Sequence, residues 1–137
     1  MRNGTKINMA KLKKGFIIEL DDDEVIIFGS NLNGNHAGGA AKQAYEQFDA
    51  IWGNGKGIQG VGHNFKSYAF PTLGFEMEKL SLKRIETEFE DLVKVANWCP
   101  EKIFYLTPIG QGIAGFTKEE IESVMTELPK NIIKIGW

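Results

Sequence analysis

Residues 25–42 read VIIFGSNLNGNHAGGAAK, and the rest of the chain is arranged around this stretch. Residues 25–28 form an apolar run typical of a buried strand. Small and aromatic residues then recur at helical spacing and are expected to form the buried face of a helix, namely Ala40, Ala41, Ala44, Tyr45 and Phe48. The sequence therefore predicts a strand, a glycine-rich loop and a helix N-terminus in direct succession. Glycines let a backbone approach a ligand closely, and a helix N-terminus presents unpaired N–H groups. Such a combination is typical of a binding site for an anion, most often phosphate.

A second stretch, residues 103–117, repeats this pattern and reads IFYLTPIGQGIAGFT. An apolar strand at 103–106 is followed by a loop of small residues and then by a helix. For a single loop of this kind, a turn shaped by its glycines is as good an explanation as an anion-binding site. Two loops, each after a strand, favour a single crevice that binds one extended ligand at the carboxyl ends of the sheet. The strand predicted at 67–72 ends near the same crevice.

Composition restricts the possible functions. The 137 residues are enough for one domain, and a net charge of −2 argues against duplex nucleic acid as a main partner. Cys99 is the one cysteine, so we expect no disulfide, no cysteine-based zinc site and a reducing, cytoplasmic location. No apolar run resembles a signal peptide or a membrane span, so no membrane partner is expected. We also expect no cofactor and no metal.

The pattern of elements predicts an arm at residues 1–15 and one domain at residues 16–137. We expect strands at 16–20, 25–28, 67–72, 103–106 and 131–135, helices at 39–51 and 81–98, and a third helix that Thr117 opens with a capping box. The strands at 16–20 and 25–28 are expected to pair antiparallel. The glycine-rich residues 52–66 are expected to form a loop. Alternation of strands with helices predicts an α/β fold with a mixed, largely parallel sheet covered on both faces.

The order of these motifs resembles that of macro domains. Residues 25–32 with residues 36–41 look like the first ligand loop of that family, and residues 105–117 are similar to its second loop. More narrowly, Phe-Gly-Ser-Asn-Leu at 28–32, Gln-Gly at 59–60, residues 67–72 and Gly-x-Gly-x-Ala-Gly at 110–115 resemble a small phage-associated and bacterial group of macro-like proteins. The resemblance implies a single three-layer α/β/α domain.

The resemblance also implies a function, namely binding of ADP-ribose or a related nucleotide diphosphate, with an ADP-ribosylated protein as a further candidate partner. Hydrolysis of an ADP-ribosyl bond or a phosphate ester would make the chain an enzyme, and binding alone would make it a reader. The family usually places an acidic residue after an early strand to recognise adenine, and none of residues 21–23 can be assigned to that role. The competing hypothesis is a non-enzymatic module that recognises a protein or a nucleic-acid end through an apolar patch around Trp52 and Phe65.

The predicted site residues come from both loops. His36 is a candidate general acid or base, since histidine titrates near neutral pH, and the alternative is that it hydrogen-bonds its own loop or a phosphate. Asn31, near the distal ribose, and Gln59 are candidates to hold a water molecule. His63 either closes over a ligand or stays exposed. The predicted ligand-binding residues are Gly29, Ser30, Asn31, Gly38, Gly39, Ala40, Gly110, Gln111, Gly112, Ile113, Ala114, Gly115 and Phe116, of which Ile113 and Phe116 are alternatively core residues.

Overall fold

The protein is described by a computed structural model that covers residues 12–13, 16–17 and 19–137. The strands are β1 (Leu12–Lys13), β2 (Phe16–Ile17), β3 (Glu24–Asn31), β4 (Gly57–Ile58), β5 (Ser67–Leu73), β6 (Ile103–Leu106) and β7 (Ile132–Lys134). The helices are α1 (Gly39–Gln47), α2 (Leu82–Trp98) and α3 (Lys118–Val124). Most of the predicted 1–15 arm lies outside the described residues.

Strand β3 is the centre of a five-stranded sheet with the order β4-β5-β3-β6-β7. It pairs in parallel with β5 on one side and β6 on the other, so Ile27 lies opposite both Tyr68 and Leu106. Strand β7 continues the parallel pairing, and β4 is an antiparallel edge strand. The prediction of a mixed, largely parallel sheet in one α/β domain is confirmed.

Two separate apolar layers cover the faces of this sheet. On one face Ile27 and Phe70 pack with Phe89 of α2 and Ile121 of α3. On the other face, alternate residues of the same strands pack against the small residues of α1, among them Ala44. Strands buried on both faces need continuous apolar runs, which is why β3 and β5 show no alternation. Full burial of one large apolar side chain contributes about 1.5–3 kcal/mol, so these two layers supply the main stabilisation.

Local sequence signals set the ends of two helices as predicted. The hydroxyl of Ser81 accepts a hydrogen bond from the N–H of Arg84 and caps α2. Thr117 and Glu120 form a complete capping box at the start of α3. Within the described ranges, no helix combines the length and the apolar character needed to cross a bilayer.

Four predictions about local structure are wrong. Within residues 52–66, expected to form a loop, residues 57–58 form the edge strand β4. The strand at 16–20 does not pair with β3, because β5 and β6 occupy both edges of β3; the two residues of β2 pair with β1 instead. Helix α1 ends at Gln47 rather than residue 51, and the chain turns at Asp49, where φ is 61°. Tyr45, predicted to be buried, is 46% exposed beside Trp52.

Candidate functional site

A cavity of about 650 Å³ lies at the carboxyl ends of β3, β5 and β6. Both glycine-rich stretches contribute to its walls, since β3 and β6 are adjacent parallel strands whose following loops emerge at the same edge. The lining residues are Gly29, Ser30, Asn31, Asn35, Ala37, Gly38, Gly39, Ala40, Ala41, Thr72, Leu73, Met77, Thr107, Pro108, Ile109, Gly110, Gln111, Gly112, Ile113 and Ala114.

Asn31 gives the first loop its shape. Its side-chain Nδ2 donates to the carbonyl of Asn35 at 2.9 Å, and its Oδ1 accepts from the N–H of Asn35 at 3.0 Å. This closed turn leads the chain to Gly38, which precedes α1 in an extended conformation and provides no side-chain cap. The first N–H groups of α1 therefore lie at the cavity without a capping acceptor, with the positive end of the helix dipole.

The second loop is folded on its own backbone. The N–H of Phe116 donates to the carbonyl of Gly110 at 2.8 Å, and the N–H of Gly115 donates to Gly112 at 3.0 Å. Position 110 requires glycine because φ is +73° and an added Cβ would lie 3.0 Å from Ile121 Cδ1. Among the hydrogen bonds of the described residues, none has an N–H of residues 110–114 as donor. A second set of unpaired donors thus belongs to the cavity wall.

Among the residues that the structure describes, none with an ionisable side chain lines the cavity; its lining contains no aspartate, glutamate, lysine, arginine or histidine. Residues 21–23 precede β3 and lie at the opposite end of that strand. Gln111 adds a polar group, because its buried Nε2 has no partner within the part of the chain that the structure describes. Backbone N–H groups and amide side chains are therefore what a bound anion would meet.

His36 lies behind the cavity rather than on its wall. The ring is fully buried against Phe28, and its Nε2 is 2.9 Å from the carbonyl oxygen of Ile51 and 3.1 Å from that of Asn54. Since both partners are acceptors, Nε2 carries the proton and donates to them. In this arrangement His36 joins the first glycine loop to residues 51–54, which lie outside that loop.

Gln59 is also buried, and its side chain lies outside the cavity lining. Its Oε1 accepts from the N–H of Ile51 at 2.9 Å, and its Nε2 donates to the carbonyl of Gly57 at 3.1 Å. The glycine-rich residues 52–66 are further fixed by Lys56, which donates to buried Glu88 at 2.8 Å and to Asp91 at 3.1 Å. Partial burial lowers the pKa of Lys56, but these two carboxylates outweigh that effect and the pKa is raised.

Two apolar residues predicted to bind the ligand, Phe116 and Ile113, occupy different environments. Phe116 is a core residue with the Nζ of Lys79 at 4.2 Å from its ring centroid. Neither Gly115 nor Phe116, both predicted to bind the ligand, is among the residues that line the cavity. Ile113 is 86% exposed and lies at the cavity mouth. The patch expected around Trp52 and Phe65 is absent as such, because Phe65 is 2% exposed and packs in the core.

The sequence interpretation missed several lining residues. Leu73 and Met77 extend the wall from the end of β5, and Thr107 extends it from the end of β6. For Leu73 and Thr107 the signal was positional, because each directly follows a predicted strand that ends at the crevice, whereas Met77 lies further along the chain. The hydroxyl of Thr107 donates to the carbonyl of Ile27 at 2.6 Å, so it also joins β6 to the central strand.

No protein-family model and no curated protein matches the chain. Among solved structures, the macrodomain of Mycobacterium tuberculosis DarG matches with a TM-score of 0.61 and 20% identity, over 83% of this chain and 89% of that one. The chain has a macro domain-like fold. A protein of unknown function from Bacteroides thetaiotaomicron also matches, with a TM-score of 0.51, 11% identity, and coverage of 85% and 90%. The macro domain-like fold agrees with the family that the two glycine loops resemble, and membership of the phage-associated group stays a prediction.

Proposed function

We propose that the chain binds ADP-ribose or a related nucleotide diphosphate in the cavity between its two glycine-rich loops. One observation carries the proposal: unpaired N–H groups of residues 110–114 and the uncapped N-terminus of α1 belong to the same cavity. Consecutive unpaired N–H groups form concave anion sites, and a helix N-terminus adds a favourable dipole. Two such sets suit a ligand with two linked phosphates better than a single small anion.

The size and the chemistry of the cavity support a ligand larger than phosphate. Its volume of about 650 Å³ is within the usual range for sites that hold a whole small molecule. Apolar walls from Leu73, Met77 and Ile109 offer surfaces for a ribose or a base. The macro domain-like fold adds support, since ADP-ribose binding is what the family resemblance implies.

Hydrolysis of an ADP-ribosyl or phosphate ester bond is the second part of the proposal. Because no ionisable side chain of the described residues lines the cavity, we infer that the ligand's own phosphate acts as the base, with Asn31 positioning the water. General-base catalysis by His36 stays a prediction, and it requires the ring to leave its two carbonyl partners. Gln59 would act on a ligand only through the loop that it supports.

Calorimetric titration with ADP-ribose, NAD, ADP and AMP tests binding. We expect ADP-ribose and ADP to give heat and to raise Tm, and AMP to bind more weakly because it lacks the second phosphate. The absence of heat and of any Tm change at millimolar ligand would overturn the proposal, since even weak occupancy stabilises a fold by mass action.

Turnover of an ADP-ribosylated protein and of an ADP-ribosyl phosphate ester is measured separately. Release of ADP-ribose from either substrate identifies a hydrolase. Binding without release of ADP-ribose identifies a reader, for which an ADP-ribosylated protein is the proposed partner.

A further inference from the structure

Three side chains with metal-binding atoms lie together outside the cavity. They are His63 from the glycine-rich segment, and Cys99 and Glu101 from the chain just after α2. The Nδ1 of His63 is 3.7 Å from the Sγ of Cys99 and 3.7 Å from Oε1 of Glu101. All three ligand atoms lie within 4.8 Å of one another.

These separations are close to those around a tetrahedral metal ion. Zinc binds sulfur at about 2.3 Å and nitrogen or oxygen at about 2.0–2.2 Å, so its ligand atoms lie roughly 3.3–3.8 Å apart. The two distances from His63 already fall in that range. The remaining pair, Cys99 and Glu101, needs a rotation of the Glu101 side chain, which is 59% exposed and free to move.

The surroundings of the cluster favour a cation and orient its ligands. Cys99 is the C-cap residue of the 17-residue helix α2, where the negative end of the helix dipole lies. The ring centroids of Trp98 and His63 are 4.3 Å apart, and this packing restricts the orientation of the His63 ring. The side-chain Nδ2 of Asn131 donates to the carbonyl of Cys99 at 3.2 Å and holds the backbone of that residue. Supporting contacts of this kind are what fix metal ligands in place.

We propose that His63, Cys99 and Glu101 form a binding site for Zn²⁺ or a similar borderline divalent cation. One thiolate, one imidazole and one carboxylate are ligands that zinc accepts, whereas Mg²⁺ and Ca²⁺ require oxygen ligands. Three protein ligands leave a fourth position for water, and the exposed sides of His63 and Glu101 give solvent access to it. The site differs from the ADP-ribose cavity, because none of its three residues lines that cavity.

Such a site differs from the expectation of no metal. One cysteine cannot build a site from cysteines alone, but the fold places Cys99 beside a histidine 36 residues earlier in the chain. A bound metal would join the glycine-rich segment to the end of α2. Metal binding is therefore expected to raise Tm and to slow hydrogen exchange in residues 60–66.

The test uses the full chain without an affinity tag, freed of metal by a chelator and titrated with Zn²⁺ and with Co²⁺. The chain has two histidines and one cysteine, so a thiolate-to-cobalt charge-transfer band can arise only from Cys99. We expect one Zn²⁺ per chain, a raised Tm, and this cobalt band in the near ultraviolet. Mg²⁺ is expected to give none of these effects.

His63 and Glu101 are exposed, so replacing them is expected to change metal binding without preventing the chain from folding. His63→Ala and Glu101→Gln are expected to weaken Zn²⁺ binding by about 100-fold or more, because even second-shell changes cost about 10–100-fold. Cys99→Ser is expected to abolish the cobalt band. Glu90→Gln, an equal change of charge on the exposed side of α2, is the matched control and is expected to bind like the native chain.

Two results would overturn the proposal. One is the absence of stoichiometric Zn²⁺ binding by the native chain. The other is binding that His63→Ala retains in full, since the ion would then be held elsewhere.

Discussion

Replacing Gly112 by valine is expected to remove ligand binding while leaving the fold intact. Gly112 lines the cavity within the loop whose N–H groups are unpaired. Its φ lies outside the left-handed region, and a Cβ added there would meet no atom within 4 Å. The backbone therefore accepts a side chain without strain. Valine also restricts the conformations of the unfolded chain, which offsets a small decrease in the stability of the folded state, so Tm is expected to change little.

The loss of affinity follows from the hydrogen bonds that the valine side chain would obstruct. A hydrogen bond to a charged group contributes about 1.5–3 kcal/mol, so loss of two N–H contacts to a diphosphate costs about 3–6 kcal/mol. That cost is at least about 100-fold in Kd. Gly112→Ala, which adds one methyl group, is expected to give an intermediate loss.

Calorimetric titration with ADP-ribose, paired with thermal melts, measures both effects. Lys94→Val, which places the same valine side chain at an exposed position of α2 away from the cavity, is the control and is expected to bind normally. A Gly112→Val variant that folds and binds ADP-ribose with native affinity would refute the role assigned to the N–H groups of residues 110–114. A variant that fails to fold would refute the argument that the position is open.

Three other changes should act mainly on stability. Gly110→Ala is expected to lower the free energy of unfolding by about 1–3 kcal/mol in urea titrations, because φ is +73° and the methyl would crowd Ile121. His36→Ala is expected to cost about 2–4 kcal/mol, since two carbonyls lose their donor and a cavity is left. If it instead kept native stability and lost about 10²–10⁴-fold in turnover, general-base catalysis by His36 would be supported. Thr117→Ala should cost about 1 kcal/mol by removing the cap of α3, measurable as a lower Tm; an unchanged Tm would contradict this.

The parts of the fold that depend on local signals were accessible from the sequence. The apolar runs at 25–28 and 103–106 are buried on both faces of the sheet. A continuous apolar run is therefore visible in the sequence without knowing which strands lie beside it. Ser81 and Thr117 mark helix starts because a cap acts on N–H groups two or three residues away. The position of the cavity followed from the rule that loops after adjacent parallel strands share one edge.

Features that depend on distant partners were not accessible. The role of His36 depends on carbonyls that lie 15 and 18 residues later in the chain, and no local pattern records their approach. The competing hypothesis requires Phe65 in an exposed apolar patch, yet Phe65 packs near Phe104, which lies on the distant strand β6. The pairing of β2 could not be predicted either, since it depends on β5 and β6, distant in sequence, occupying both edges of β3.

Both edges of the five-stranded sheet are very short. Strand β4 has two residues and β7 has three, whereas the central β3 has eight. An edge strand exposes N–H and C=O groups that can pair with another molecule, and short edges are one way in which proteins prevent such polymerisation. The inner strands, whose long apolar runs would aggregate readily if exposed, are thus enclosed between edges that offer few pairing groups. Concentrated solutions of the folded chain are expected to remain free of cross-β fibrils.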